Sequence, residues 1–419
     1  MTNIYFETYG CSANFADSEQ MAGLLREAQF NIVDNIEDAY IIVINSCTVK
    51  NPTENAFFKR LKELEQYEHK LIIIAGCIAQ TDQKKLKEYP LIGPNQIHNI
   101  VQLVEEALND NVVTMLVKGE MPPLNLPRVK KNPVVCIIPI SRGCLGACSF
   151  CLTKSARGTL VSYPIEDIVK EAQKALKENV KEIWLTSQDC GCYGFDLNTN
   201  LAKLLKELVK IPGEFKIRVG MMNPDHLIKY LNEFLEVFSN GKIFQFLHLP
   251  VQSGSNEVLK NMIRPYTLEE FTDLVGKIKE KFPRLTLMTD LIAGFPGETD
   301  AQHWETLNLL RKIPFDAINI SRFWPRPKTK AAALKQVPGD VIKHRSKVLT
   351  DIYQNTAKLQ NERWLGRECS IIIDEKGREN QWIGRNIAYK PVIVEGDFKL
   401  GQILKVKIKK HTAYDLRGE

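Results

Sequence analysis

Short apolar runs of strand length alternate with amphipathic stretches of helical length from the first residues of this chain. In its first third the apolar runs are Ile4–Tyr9, Tyr40–Asn45 and Leu71–Ala75. Helix-period patterns lie between and after them, at Ala16–Ala28, Thr53–Gln66, Gln80–Glu88 and Val101–Leu108. Apolar strands alternating with helices predict a parallel sheet with right-handed crossovers. The stretch Gly119–Asn132 (GEMPPLNLPRVKKN) is rich in proline and basic residues and has no periodicity, so it reads as a linker.

The alternation then restarts with more units. Candidate strands are Val134–Ile140, Glu182–Thr186, Lys216–Val219, Phe244–Leu249, Thr286–Ile292 and Ala317–Ile320, with helical patterns such as Ile165–Glu178 and Leu201–Val209 between them. Six strands predict a partial (β/α)6 barrel of the TIM type, since a complete one uses eight. A helix entered near Gly339 continues through Asn355–Gln360. From Arg367 the pattern becomes short and strand-like, in CSIIIDE, WIGRNIAY, KPVIVE and ILKVKIKKHTAY, with turns at Lys376-Gly377 and Gly396-Asp397. Such a run predicts a small closed β-barrel of the OB type. The expected organisation is an α/β protein with an N-terminal domain over 1–118, a linker over 119–133, a barrel over 134–356 and a small β-barrel over 357–419.

Composition narrows the class. With 44% hydrophobic and 25% charged residues the 419-residue chain is of ordinary globular type. No apolar run reaches the roughly 18 residues of a membrane span, and MTNIYFETYGC has neither the basic n-region nor the apolar core of a signal peptide. A cytoplasmic protein with no membrane partner is expected. Ten cysteines in so long a chain then read as metal ligands or free thiols rather than as a disulfide framework.

Three of them, Cys144, Cys148 and Cys151, form a C-x3-C-x2-C run, RGCLGACSFC, just past the strand VVCIIPISRG. Clustered thiolates call for zinc or an iron–sulfur cluster. A structural zinc site takes four protein ligands, whereas three on a four-iron cube leave one iron open. A zinc knuckle completed from elsewhere in the chain stays open at this point. Cys11, Cys47 and Cys77 share another feature: each follows a predicted strand, IYFETYG, IIVINS and IIIAG. In a parallel sheet the carboxyl ends lie on one edge, so these thiols are expected to converge as a second three-thiolate site; the alternative is three buried core cysteines. Gly10 and Gly76 precede two of them, where tight turns and close backbone approach are needed. Cys136 and Cys369 fall within or at strands and are expected in cores. Cys190 and Cys192, in SQDCGCYG, are expected at the barrel mouth, as bystander thiols rather than as ligands.

Polar groups follow other barrel strands. Thr186, Ser187, Gln188 and Asp189 follow one, and Gln252, Ser253 and Ser255 follow another in LPVQSGS. Gly294 and Gly297 in LIAGFPGET let backbone lie flat against an adenine or ribose. Arg218 lies on a strand and is suited to a carboxylate, and Phe150 to packing on an aromatic base. Each of these has an ordinary structural role as its alternative, as a helix cap, a turn or loop core.

The C-x3-C-x2-C run with an aromatic residue before its third cysteine resembles the radical S-adenosylmethionine (SAM) superfamily. GCSANFADSE, NSCTVKNPTEN and AGC in the first domain resemble the methylthiotransferase branch of it, and HLPVQSGS, DLIAGFPGETD and WPRPKTKAAAL extend the match. The tail is similar to that branch's TRAM domain, a small RNA-binding barrel. NSCTVKNPTEN and TKSARGTLVSYPIE resemble the archaeal and eukaryotic enzymes acting on N6-threonylcarbamoyladenosine in tRNA. The cysteine pair in DCGCYG departs from the pattern.

This resemblance implies a [4Fe-4S] cluster on Cys144, Cys148 and Cys151 that binds SAM and yields a 5′-deoxyadenosyl radical. It implies a second [4Fe-4S] cluster on Cys11, Cys47 and Cys77 that carries the sulfur to be methylated and transferred. The cofactor carries the hard step, so no side chain is assigned as catalytic. Phe150, Ser187, Gln188, Arg218, Gln252, Ser253, Gly294 and Gly297 are the candidate SAM-binding residues. The partners implied are tRNA bearing threonylcarbamoyladenosine, an electron donor and a sulfur source. The implied product is 2-methylthio-N6-threonylcarbamoyladenosine at position 37.

Charge bears on the RNA partner. From Ala357 to Glu419 there are 13 Lys and Arg against 9 Asp and Glu, most of the chain's +6. Lys405, Lys407, Lys409 and Lys410 alternate along a predicted strand, with Trp382, His411 and Tyr414 near, which suits phosphate binding and base stacking. The plainer alternative is an edge strand guarded by lysines. Rival readings are a methylthiotransferase for isopentenyladenosine or a ribosomal protein, and a non-catalytic zinc-containing RNA-binding protein.

Overall fold

The computed structural model describes residues 1–48, 51–67, 69–117 and 121–419. Val49 and Lys50 of NSCTVKNPTEN, and Gly119 and Glu120 at the start of the expected linker, lie outside the described residues.

The N-terminal domain is a six-stranded parallel sheet in the order Asn31–Val33, Asn3–Tyr9, Ile41–Ser46, Leu71–Ala75, Leu91–Ile92, Thr114–Met115. Its central strand Ile41–Ser46 is buried throughout, as a strand covered by helices on both faces must be. Ile41 and Val43 pack toward the helices Ser12–Glu27 and Ile100–Leu108, while Ile42 and Ile44 pack toward Asn51–Leu64. The helix expected at Gln80–Glu88 is instead a short helix Cys77–Thr81 followed by a 3-10 turn Gln83–Lys85. Three short strands are not legible in the apolar pattern: Asn31–Val33, Leu91–Ile92 and Thr114–Met115, none longer than three residues.

The described linker residues do not float. Val129 N donates to Glu19 O and Lys131 N to Glu19 Oε1, so the segment lies along the helix Ser12–Glu27. A Cβ on Gly23 of that helix would stand 2.2 Å from Pro127 O, so only glycine admits this crossing.

The barrel is six parallel strands in two hydrogen-bonded halves. One runs Lys216–Val219, Glu182–Thr186, Val135–Pro139; the other runs Phe246–His248, Thr286–Ala293, Ala317–Arg322. An Ile217–Ile243 bridge joins the halves. Side chains alternate across the wall: Ile183, Ile217, Leu247 and Leu287 pack outward on helices, while Trp184, Arg218, His248 and Met288 line the lumen. The helix Gly339–Glu362 packs on the strand Ala317–Arg322 and runs on through residue 357 toward the last domain.

That domain is a closed five-stranded barrel in the order Glu368–Lys376, Gln381–Arg385, Pro391–Glu395, Leu416–Gly418, Ile403–His411. Its loop after Arg385 enters the larger barrel: Gln245 N donates to Ile387 O, and the Tyr389 ring meets Phe244 and Phe246. Among the described residues no helix is long and apolar enough to cross a membrane.

Candidate functional site

The carboxyl edge of the first sheet gathers Cys11, Cys47 and Cys77. Cys11 caps the helix Ser12–Glu27, Cys47 follows the strand Ile41–Ser46, and Cys77 opens the helix Cys77–Thr81. Gly10 and Gly76, at φ +142° and +90°, make the close approach. A Cβ on Gly10 would stand 2.7 Å from the Cys47 Cβ, and one on Gly76 would stand 2.2 Å from Asn45 Oδ1. Buried Asn14 and Asn45 tie the edge together through an Asn14 Nδ2–Asn45 Oδ1 bond of 3.1 Å. Cys47 is hydrogen-bonded to both other thiols; these bonds, and then the charge of Arg157, hold Cys11 and Cys77 below the ordinary thiol range. The same two bonds, with burial, push Cys47 up.

Arg157 reaches this trio from the barrel. Its Nε donates to Cys77 Sγ at 3.2 Å and its Nη2 to Asp17 Oδ2 at 2.9 Å. Asp17 Oδ1 accepts from Arg142 Nη2 at 2.8 Å. All three side chains are nearly inaccessible, so one carboxylate of the first domain holds two guanidinium groups of the second in low dielectric.

The second trio lies in the loop that follows Arg142. A Cβ at Gly146 would lie 3.3 Å from Cys144 Sγ and 3.7 Å from Cys148 Sγ, so both sulfurs face one small space that a larger residue would fill. Gly146 N donates to Cys144 Sγ at 3.3 Å, Arg264 Nη1 to Cys148 Sγ at 3.5 Å, and Cys151 Sγ lies 3.1 Å from Thr153 Oγ1. Burial, and then the Asp189 carboxylate, pushes Cys144 up to about 12. Burial also raises Cys151. Ser149 anchors the loop, its Oγ donating to Asn261 O and its backbone N to Met262 O.

Three sulfurs in one short loop, with an amide, a hydroxyl and a guanidinium as neighbours, fit a cluster held by three thiolates. The amide, hydroxyl and guanidinium are not ligands of a structural zinc site, and the nearby thiol of Cys192, beside Leu145, has its Sγ on Asp189 O at 3.3 Å. The first trio, with Asn14 and Arg157 beside it, fits the same donor set.

The two trios are joined by one short helix, Thr153–Arg157. Thr153 touches Cys151 at one end, and Arg157 touches Cys77 at the other. Thr153, Ala156 and Arg157 also line a cavity of about 1000 Å³, together with Cys11, Cys47, Cys77 and the barrel lumen. Further bonds close the domains around it. Ser12 Oγ meets Thr186 Oγ1 at 2.6 Å, and Glu54 of NSCTVKNPTEN pairs with Arg326 of WPRPKTKAAAL.

Of the candidate SAM-binding residues, Ser187, Gln188 and Arg218 line this cavity, and Gln188 Oε1 is buried without a partner among the described residues. The others stand outside its lining. Phe150 packs edge-on against Phe295 in an apolar cluster with Val258, Met262, Phe323 and Ala331. Gln252, at φ +72°, bridges to Leu291 through its backbone. Ser253 Oγ accepts from Ser255 N at 3.2 Å. Gly294, at φ +75°, makes room for Ile342 of the long helix, whose Cγ1 would lie 2.4 Å from an added Cβ. Gly297, at φ +81°, faces open space.

Cys190 and Cys192 lie behind the mouth, Cys190 against cavity-lining Ser187 and Gly220 and Cys192 against Leu145 of the cysteine loop. Both are fully buried, Cys192 Sγ lying 3.3 Å from Asp189 O. A 3-10 turn at Cys190–Cys192 folds them inward. Cys136 is buried and Cys369 half-buried.

Sequence reasoning misses the network behind the second trio. Asp189 Oδ1 accepts from Gly191 N and Asn223 N, and Oδ2 from Asn223 Nδ2 at 2.6 Å and from His226 Nδ1 at 2.7 Å. Asn223 Oδ1 in turn accepts from Arg264 Nη2 at 2.6 Å. Asp189, Cys192 and His226 lie within 4.8 Å of one another, a metal-like grouping, but these four donors already satisfy the carboxylate. Burial opposes charge on Asp189, yet the His226 and Asn223 bonds hold it below its usual range. No motif spacing signals residues brought together from three separate segments, after Glu182–Thr186, after Lys216–Val219 and around Arg264.

On the last barrel, Lys405, Lys407 and Lys409 are exposed and alternate with buried Val406 and Ile408, and Lys410 is exposed beyond a register shift. Lys409 pairs with Glu419. Tyr414 is exposed, while Trp382 is half-buried with its Nε1 on Gly396 O.

Comparison with known proteins agrees with this geometry. Residues 138–310 match the radical SAM superfamily, 3–92 the uncharacterized protein family UPF0004, and 362–419 the TRAM domain. Among solved structures, the radical SAM methyltransferase TsrM from Kitasatospora setae shares the fold at a TM-score of 0.58 and 12% identity, over 79% of this chain and 75% of that one. The cobalamin-dependent SAM radical enzyme OxsB aligns at 0.53 and 13% identity, over 84% of this chain and 56% of that one. The barrel and its cysteine loop are therefore of the radical SAM class.

Full-length relatives narrow this. A probable threonylcarbamoyladenosine tRNA methylthiotransferase of Pyrococcus abyssi is 42% identical over 100% of this chain and 99% of its own length. The Homo sapiens threonylcarbamoyladenosine tRNA methylthiotransferase is 38% identical over 99% of this chain and 73% of its own. The chain belongs to the family of threonylcarbamoyladenosine tRNA methylthiotransferases.

Proposed function

We propose that this protein converts N6-threonylcarbamoyladenosine at position 37 of tRNA to its 2-methylthio derivative, using SAM and two [4Fe-4S] clusters. The observation that carries the reading is the pair of cysteine trios joined through Thr153–Arg157, one of them bordering a cavity continuous with the barrel lumen. Cys144, Cys148 and Cys151 would hold one cluster; Cys11, Cys47 and Cys77 would hold the other. When bound, the first supplies one-electron cleavage of SAM, and the second presents the sulfur to be inserted.

The chain's own part is placement and electrostatics. Gly146 keeps the space between the second trio's sulfurs clear, and Arg264 sets a fixed positive charge beside Cys148. Arg157 does the same beside Cys77. Ser187 and Gln188 offer polar groups at the lumen wall, where SAM, reaching in from the second trio, and the nucleoside would meet. Phe150, Gln252, Ser253, Gly294 and Gly297 shape the loops around the cofactor. The lysine face of Ile403–His411 would take tRNA phosphates. An electron donor and a sulfur source complete the reaction.

Nucleoside mass spectrometry of tRNA from a strain lacking the gene tests this. Loss of the methylthio group from threonylcarbamoyladenosine, with methylthiolated isopentenyladenosine unaffected, is the expected result; an unchanged tRNA profile overturns it.

A further inference from the structure

Arg218, half-buried on the lumen wall, stands apart from the other arginines of the interior. Arg128, Arg142, Arg157, Arg345 and Arg385 each make an ion pair with a carboxylate, and Arg264 bonds Asn223 and Cys148. Among the described residues Arg218 has no ion pair, and its buried Nε has no hydrogen-bond partner. The guanidinium sits instead in an aromatic box, 5.1 Å from the Trp184 ring centre and 5.2 Å from those of Phe246 and Tyr389. Trp184 is its register partner on the neighbouring strand, and Tyr389 enters from the last barrel.

A guanidinium flanked by ring faces, with its Nε buried and unpaired, leaves the rest of its N–H fork facing the cavity and free to take a ligand. A carboxylate matches that fork in two parallel bonds. The neighbouring acid does not act as that partner. Glu182 accepts from Trp184 Nε1 at 2.8 Å. Burial, and then the nearby Asp374, raise its pKa. Arg218 also opens onto the cavity that holds the first trio. On the same lumen wall, Asp290 accepts from Asn319 Nδ2 at 2.7 Å and lies 3.0 Å from His248 Nε2, giving a second polar patch. The lumen wall is largely apolar and carries the Asp290 carboxylate away from Arg218, so an anionic group that enters it has the Arg218 guanidinium to pair with.

A threonylcarbamoyl arm ends in a carboxylate. We infer that Arg218 is the receptor for this carboxylate, and so the residue by which the enzyme selects an amino-acid-bearing adenosine. This rests on the function proposed above. SAM carries a carboxylate as well. Its amino-acid end is expected on the second trio, however, and Cys144, Cys148 and Cys151 do not line the cavity onto which Arg218 opens. The assignment therefore goes to the nucleoside.

The test uses the reconstituted full chain and anticodon stem-loop RNAs carrying either threonylcarbamoyladenosine or its threonyl methyl ester. The wild-type protein should bind the acid about 10- to 100-fold more tightly than the ester, the range of a hydrogen-bonded charge pair. Arg218→Gln should remove that preference, and Arg218→Lys should restore part of it. Equal binding of acid and ester by the wild type overturns the proposal without reference to any variant. So does a loss of SAM affinity in Arg218→Gln with the acid preference intact, because the carboxylate held would then be the cofactor's. If the wild type fails to methylthiolate the acid stem-loop at all, the function proposed above falls instead. Methylthiolation of acid and ester at equal efficiency removes only the role of Arg218.

Discussion

Cys47 sits at the centre of the first trio, bonded to the thiols on either side of it and buried at the end of the most deeply covered strand. Removing it takes one corner from that donor set and leaves the Cys144–Cys151 loop, on another domain, intact. Cys47→Ala should therefore retain SAM cleavage while abolishing sulfur insertion. Iron per chain should fall from about eight toward four, the number one four-iron cube supplies. Retained thiomethylation would rule out the second site. The convergence of these thiols is legible in sequence because each follows an apolar strand, and parallel topology sends strand ends to one edge. Arg157 is not legible, because a guanidinium that crosses from one domain to meet a sulfur of another leaves no periodic trace in sequence.

At the scale of elements, the strand Ile403–His411 presents lysines outward with Val406 and Ile408 inward, the alternation its sequence predicts. Lys405, Lys407 and Lys409 changed together to Gln should weaken tRNA binding and lower the slope of log K against log salt by about one for each phosphate no longer neutralised. Unchanged binding would leave this face as a plain solvated edge. Glu182–Thr186 and Lys216–Val219 are legible to the residue, whereas the longer strands Thr286–Ala293 and Ala317–Arg322 run one and two residues past the apolar pattern and Phe246–His248 is shorter than it. The segment after Thr81 is not one helix, although its apolar spacing suits one; the same spacing also serves a helical turn followed by a 3-10 turn and the two-residue strand Leu91–Ile92. Gly294 is similar: its sequence suggests backbone laid against a ligand, whereas in the fold it admits Ile342 of the long helix.

Across the whole molecule, the first domain is held on the barrel by buried charge rather than by apolar surface alone. Asp17 is 1% exposed and binds Arg142 and Arg157 at once. Neutralising it strands two guanidinium groups away from water. Asp17→Asn should cost about 3–5 kcal/mol, the penalty of breaking a buried pair. That loss is measurable as a lower denaturant midpoint, and it should be accompanied by faster loss of iron from the first trio than from the second. An unchanged midpoint would mean that water replaces the carboxylate at this junction.

The five residues Thr153–Arg157 make just over one helical turn between the two cysteine trios. A helix advances about 100° per residue, so the angle at which Arg157 meets Cys77 is fixed by the count of residues from Cys151. One residue more or fewer would swing the guanidinium roughly a quarter-turn away and leave both of its anchors vacant. Spacing downstream of the cysteine loop is therefore as constrained as spacing within it, because Arg157 keeps both Cys77 and Asp17 only at this phase.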